Sequence, residues 1–151
     1  MDINKFIADV NRDYSKLEKL IPNDKFDLTP FPVLMVISED KVKPILPKLL
    51  YCIADMNWPI ASEMLKVLAR FPDSIVPLIK TVLMPTVTDE EWKYFIIMDL
   101  IPMLPAPSQG LLFTDINRIT VNPTNSEING DVWEVAMEYV TKNECKNTPL
   151  V

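Results

Sequence analysis

Histidine is absent from this sequence of 151 residues, and glycine is scarce. Without histidine the chain lacks the commonest general base of enzymes, a frequent zinc ligand and the imidazole of a catalytic triad. The only glycines are Gly110 and Gly130, whereas a phosphate-binding loop needs several, so that its backbone N–H groups can approach the phosphate. These absences argue against most enzyme mechanisms. We therefore expect no catalytic residues, no cofactor and no metal site.

Cysteine is also rare, and the two that are present, Cys52 and Cys145, form no CxxC motif and no metal-ligand spacing. Two thiols in a chain of this length are typical of a reducing compartment rather than of a disulfide framework. The first residues show no signal-peptide pattern, and apolar runs such as residues 31–37 are too short to cross a bilayer. We predict a cytoplasmic protein with no membrane partner.

The charge balance is acidic, with 21 acidic and 15 basic residues and a formal net charge of -6. A negative field repels phosphate backbones, so we expect no nucleic-acid partner. The densest basic group, Lys41, Lys43 and Lys48, is partly cancelled by Glu39 and Asp40. A partner selected by charge would be a basic protein.

Apolar residues recur at helical spacing through most of the chain, and proline separates the runs where glycine normally would. Fourteen prolines are present, and proline either ends a helix or occupies its first turn, because it has no N–H to donate. We predict an all-α fold with roughly seven to eight helices. It forms a single domain, residues 1–151, with an N-terminal helix at 1–20, helical repeats at 21–141 and a loose tail at 142–151.

The apolar segment at residues 31–37 is ambiguous. Its β-branched residues are typical of a strand, whereas the preceding Thr29-Pro30 is a helix-start signal. No partner strand is evident elsewhere, so we favour a short helix.

Several helix boundaries are indicated more locally. Capping boxes are predicted at residues 88–91, with Thr88 as the cap, and at 124–127, with Thr124 as the cap. The helix that contains Pro47 is expected to run from Ser38 to about residue 55, with Pro47 tolerated early in the helix or kinking it. The last helix is expected to end near residue 143.

A repeat is indicated by tryptophan and proline. Trp58 and Trp92 lie about 34 residues apart, a spacing typical of helix-pair repeats, and each is predicted to start a helix. Phe71-Pro72 and Leu104-Pro105 mark the ends of the same two helices. Because one helix pair cannot bury its apolar face alone, neighbouring pairs must stack. The pattern predicts a short HEAT-like α-solenoid of antiparallel helical hairpins.

Three segments carry a family resemblance: Asp55-Met56-Asn57-Trp58-Pro59, Phe71-Pro72 and Asp89-Glu90-Glu91-Trp92-Lys93-Tyr94. They resemble those of a family of small bacterial proteins of unknown function, whose members are similar to HEAT-like helical repeats. The resemblance covers residues 20 to 140 and implies an all-helical fold. No activity is established for the family, so the resemblance implies no catalytic residue.

Five residues are candidates for binding a partner: Asp55, Asn57, Trp58, Tyr94 and Asp99. Asp55 and Asn57 are expected in a turn, where their side chains could equally serve turn and capping hydrogen bonds. Trp58 could contact a partner or fill a gap between hairpins. Tyr94 is a plausible surface aromatic, a residue type common at interfaces.

Asp99 is expected on or beside an apolar helix face, where a carboxylate needs a partner. The structural interpretation is an ion pair with Arg70, Lys66 or Lys93, or the capping of a neighbouring helix. The rival interpretation is a functional acid.

Two functions follow from these features. The first is a protein-binding module without catalytic activity, in which stacked hairpins provide the surface. One version is an immunity-type protein that neutralises a secreted toxin. The alternative is a carboxylate-based enzyme or small-ligand binder that uses the concave face, with Asp99 and Glu63 as its acids. The oligomeric state is not predicted.

Overall fold

The structure, a computed structural model, describes residues 4–5, 8 and 14–147. Every regular element in these residues is helical, so the all-α prediction is confirmed. Half of the predicted first helix, residues 1–20, lies outside the described residues. Its described end, Tyr14–Leu20, is a 3-10 helix rather than an α-helix.

The chain forms two compact units, Met1–Ile75 and Val76–Val151. Eight helices, α1 to α8, follow one another within residues 31–147, in agreement with the predicted seven to eight. No helix of the described residues is long and apolar enough to cross a membrane. The single-domain organisation and the stacking into a solenoid stay predictions.

The first unit contains three complete helices and the start of a fourth. Helix α1 is Phe31–Leu34, α2 covers residues 39–51, α3 is Ala61–Leu68, and α4, Pro72–Val82, begins in this unit. The short-helix interpretation of residues 31–37 is therefore correct. Helix α2 ends at residue 51, earlier than the predicted residue 55.

Proline explains the subdivision of α2. It consists of an α-helical turn, Glu39–Val42, a 3-10 turn, Lys43–Ile45, and a second α-helical part, Leu46–Tyr51. Pro44 and Pro47 each occupy the first or second position of the segment that contains them. Because proline cannot donate its backbone nitrogen, each one begins a new segment instead of continuing the previous one.

The core of the first unit is aliphatic. Leu46, Leu49 and Leu50 of α2 pack inward with Met64 and Leu68 of α3, and all are buried. Arg70 caps the C-terminal end of α1: its guanidinium donates to the carbonyl oxygens of Leu34, at 2.5 Å, and Ile37, at 3.1 Å.

The second unit contains α5 at residues 90–103, α6 at Ala106–Val121, α7 at Asn125–Asn129 and α8 at Val132–Asn147. Helix α5 changes type along its length, from α at Glu90–Phe95 to a π-helical segment at Ile96–Leu100 and a 3-10 turn at Ile101–Met103. Helix α8 extends past the predicted end at residue 143.

The two predicted capping boxes have different outcomes. Thr124 and Glu127 form the predicted box at α7. At α5 the predicted cap, Thr88, is wrong, because Asp89 is the N-cap and its carboxylate accepts from the Trp92 N–H at 3.1 Å. Asp is as good a cap as Thr, so the helix begins one residue later than predicted.

Candidate functional site

Asp55, Asn57 and Trp58 lie in one turn that precedes α3. The Asp55 carboxylate accepts from the Asn57 N–H at 2.9 Å, and the Trp58 N–H donates to the Asp55 carbonyl at 3.2 Å. Asp55 therefore serves the turn, as its side-chain type favours. Helix α3 begins at Ala61, so Trp58 lies before the helix. The prediction that Trp58 starts a helix is therefore wrong.

The loop at residues 23–29 lies against this turn. The Ile60 N–H donates to the Lys25 carbonyl at 3.3 Å, which ties the loop to the turn immediately after Trp58. The Asp24 carboxylate accepts from the Phe26 N–H at 2.8 Å and holds the loop in a second aspartate turn.

Asp27 closes the same loop from its other end. Its carboxylate accepts from the Asn23 N–H at 2.9 Å and from the Thr29 N–H and hydroxyl at 3.1 and 2.5 Å. The hydrogen bonds from Asn23 and Thr29 lower the pKa of Asp27, because they favour the charged carboxylate. The loop conformation is thus maintained by short local bonds.

Large apolar side chains of these two segments remain in solvent. Phe26 is 66% exposed, Leu28 52% and Trp58 36%, and Asn57 beside them is exposed too. Lys25 places its ammonium 5.3 Å from the centre of the Phe26 ring. We call Phe26, Leu28, Asn57 and Trp58 the aromatic turn surface. The sequence analysis identified Asn57 and Trp58 but missed Phe26 and Leu28. Asp24 and Asp27, on either side of Phe26, are turn-forming residues that could have indicated an exposed loop here.

Tyr94 lies in the second unit, on α5. Its side chain is partly buried and meets the neighbouring Phe95 ring edge to face, with centroids 5.3 Å apart. This contact makes Tyr94 a partly exposed packing residue.

Asp99 lies in the π-helical segment of α5, where its partial burial raises the pKa of its carboxyl. No Lys or Arg of the described residues forms an ion pair with it, so the expected ion pair is wrong. The three proposed partners have other contacts: Arg70 donates to backbone carbonyls, Lys66 pairs with Glu63 at 3.0 Å, and Lys93 pairs with Glu127 at 2.9 Å.

The Lys93–Glu127 pair is part of a buried ionic cluster. Both side chains are 0% exposed, and Arg118 completes the cluster with distances of 2.5 and 2.8 Å to the two Glu127 oxygens. Lys93 also donates to the Met84 carbonyl at 2.9 Å. Burial alone would raise the pKa of Glu127, but Arg118, the Thr124 N–H and Lys93 lower it from 4.5 to about 2.

This cluster has the character of a structural element. Every buried side-chain polar atom of the described residues has a hydrogen-bond partner, so the cluster leaves no group aimed at a ligand. Sequence reasoning assigned Glu127 only to capping and Lys93 only as a possible partner of Asp99. The pairing was missed because Lys93 and Glu127 are brought together by the chain path rather than by local spacing.

A cleft of about 190 Å³ lies in the second unit between α5, α6 and α8. Two of its polar side chains are bonded within the protein: the Tyr139 hydroxyl donates to the Gln109 amide oxygen at 2.6 Å, and the Gln109 amide nitrogen donates to the Leu104 carbonyl at 2.8 Å. Glu138 and Lys142 also line the cleft. Ligand pockets usually measure ~300–1,000 Å³. Among the described residues, no three His, Cys, Asp or Glu side chains are grouped as metal ligands would be.

The family model described as "Domain of unknown function (DUF5071)" matches residues 20–140. The chain belongs to this family. The expected membership of a family of unknown function is thereby confirmed, while the relation to HEAT-like repeats stays a prediction. No curated protein matches the chain.

The DUF5071 region contains all five predicted partner-binding residues and the loop at 23–29. It also contains the buried cluster of Lys93, Arg118 and Glu127. The aromatic turn surface is thus part of the family domain itself.

Proposed function

We propose that this DUF5071 domain is a protein-binding module without catalytic activity, and that a partner protein contacts the aromatic turn surface. The observation that carries the proposal is the exposure of Phe26 and Trp58, on two segments joined by the Lys25–Ile60 backbone hydrogen bond. Aromatic residues are enriched in protein interfaces and dominate their binding energy.

The local hydrogen bonds make this surface suitable for binding. The side chains of Asp24, Asp27 and Asp55 hold both segments in defined turns. A surface that is already ordered loses less conformational entropy when a partner binds. Phe26 and Trp58 therefore resemble preformed anchors more than side chains of an irregular loop.

Charge favours a basic partner. Three carboxylates, Asp24, Asp27 and Asp55, lie in the two segments against the single cation Lys25. The chain as a whole carries a formal charge of -6, which speeds encounter with a basic protein. One form of the proposal is an immunity-type protein that neutralises a basic toxin in the cytoplasm, a role that needs binding and no chemistry.

The alternative, a carboxylate-based enzyme or small-ligand binder, has less support. Its two acids have different surroundings: Glu63 is paired with Lys66, and Asp99 stands outside the residues that line the cleft. The cleft is small for a substrate, and two of its polar residues, Tyr139 and Gln109, are bonded to each other.

The test is affinity capture from the native cell with matched baits. One bait is the wild-type chain, the second carries Phe26→Ser and Trp58→Ala, and the third carries Leu111→Ser. Leu111 is an exposed leucine of α6 and controls for loss of surface hydrophobicity. Circular dichroism spectra of all three should agree, which establishes that the baits are folded.

We expect one protein to be captured by the wild type and the Leu111 variant and to be lost from the double variant. The purified pair should bind with a defined stoichiometry, and the double variant should weaken that binding at least ~100-fold, as loss of two aromatic anchors implies. A partner retained equally by all three baits would refute the assignment of the surface. If the domain converted that partner catalytically, the proposal that it has no catalytic activity would be refuted.

A further inference from the structure

Helix α8 has two different rows of side chains in solvent. Trp133 and Met137 are 38% and 39% exposed, and Glu134 and Glu138 beside them are exposed as well. Residues four apart lie one above the other on a helix, so an apolar row runs next to an acidic row. We call these four residues the α8 outer face.

The apolar row is a built surface. The Trp133 indole N–H donates to the Thr120 carbonyl at 3.1 Å, so the polar group of the ring is satisfied inside the protein. The part of the indole left in solvent is therefore hydrocarbon. Val121, the next residue of α6, is 73% exposed and adds to the apolar area. Met137 adds a flexible thioether that adapts to different contact shapes.

The acidic row has unused charge. No Lys or Arg of the described residues forms an ion pair with Glu134 or Glu138. The opposite side of α8 is the core side, where Val132, Ala136 and Tyr139 are buried. The α8 outer face therefore does not pack against the core, and its carboxylates are available to a cation of a partner.

We propose that the α8 outer face binds a cationic amphipathic helix of a partner protein. The apolar side of such a helix would cover Trp133 and Met137, and its lysines or arginines would lie opposite Glu134 and Glu138. Apolar contact supplies affinity, and opposite charges at the edge set orientation and speed encounter. The site shares no residue with the aromatic turn surface, so its test is independent of whether a partner contacts that surface.

The probe is a synthetic peptide of about 18 residues, long enough to form a helix, with leucines on one side and lysines on the other. A second peptide has the same composition with the order scrambled, so that leucines and lysines no longer separate. Binding is measured by the anisotropy of a fluorophore on the peptide, at low and at moderate salt.

The decisive variant is Glu134→Lys with Glu138→Lys. Its control is Asp40→Lys with Asp73→Lys, because both aspartates are exposed residues outside the α8 outer face and give the same change of net charge. A second pair, Glu134→Gln with Glu138→Gln, removes the charges and keeps the side-chain shapes. Met137→Ser tests the apolar row.

We expect the wild type and the control to bind the ordered peptide at least ~10-fold more tightly than the Lys and Gln variants, since opposed like charges are costly and lost pairs weaken the edge. Met137→Ser should weaken binding about 3-fold or more, and the scrambled peptide should bind at least ~10-fold more weakly. Equal loss in the control variant, equal binding of the scrambled peptide, or no binding to the wild type would each overturn the proposal.

Discussion

Replacement of Glu127 by glutamine tests the interpretation of the buried cluster. The carboxylate receives the Lys93 ammonium at 2.9 Å, two Arg118 nitrogens at 2.5 and 2.8 Å and the Thr124 N–H at 2.8 Å. Glutamine has nearly the same shape but no charge, and one of its two polar atoms is a donor. That donor must face a cation, and Lys93, which is 0% exposed, loses its counter-ion.

Two arguments give the size of the effect. Removing one member of a buried ion pair costs about 3–5 kcal/mol, because the remaining charge is left uncompensated. Separately, the pKa of Glu127 is lowered from 4.5 to about 2, and each unit corresponds to ~1.4 kcal/mol, so the ionised form stabilises the fold by about 3 kcal/mol. We therefore expect Glu127→Gln to lower the free energy of unfolding by about 3 kcal/mol at neutral pH, a large part of the ~5–15 kcal/mol of a typical domain.

The pH dependence has a definite sign. The pKa of Glu127 is lower in the folded than in the unfolded chain, so the unfolded state binds the proton more readily. The stabilisation is complete above about pH 5 and declines as the pH falls towards 2. The difference in stability between wild type and Glu127→Gln should therefore shrink over this range.

The assay is urea unfolding followed by far-ultraviolet circular dichroism, at pH 7 and at pH 3. The matched control is Glu138→Gln, the same chemical change at an exposed position of α8, which should alter stability by less than about 0.5 kcal/mol. If Glu127→Gln costs less than about 1 kcal/mol at pH 7, or costs the same at both pH values, the cluster does not stabilise the fold as the geometry implies.

Two smaller predictions concern other residues. Gly110 has open space around it, so Gly110→Ala should raise the free energy of unfolding by about 0.5–1 kcal/mol through helix propensity. Gly130→Ala should lower it by about 1–3 kcal/mol, because the added carbon would overlap the Glu90 side chain. Thermal unfolding of both variants checks this, and equal shifts of the two unfolding temperatures would contradict it. Burial raises the pKa of the Cys52 thiol from 9.0 to about 11, so in a Cys145→Ser background Cys52 should react with a disulfide reagent at pH 8 about 100-fold more slowly than a small free thiol, and a comparable rate would contradict the burial.

Local features were predictable where local physics decides them. The segment at residues 31–37 forms a short helix because Pro32 falls in its first turn and the part of the chain that the structure describes has no strand to pair with it. Thr124 and Glu127 form their capping box because both groups are within reach inside one helical turn.

Helix type and helix start were less predictable. The apolar pattern and the caps do not indicate the change of α5 from α-helix to π-helix at Ile96. Thr88 and Asp89 are both good caps and adjacent, so propensity cannot choose between them. Small energy differences of this kind are decided by how the helix packs against its neighbours.

The sequence by itself determined the all-helical class, the division of the chain by proline, the acidic charge and the lack of histidine chemistry. Only the tertiary structure decided that Lys93 meets Glu127 rather than Asp99, and that Phe26 lies beside the turn of Trp58 in solvent. Charge pairing and exposure depend on residues far apart in the chain, and periodicity, caps and turns describe only neighbours. The long-range partners become visible when the path of the backbone is known.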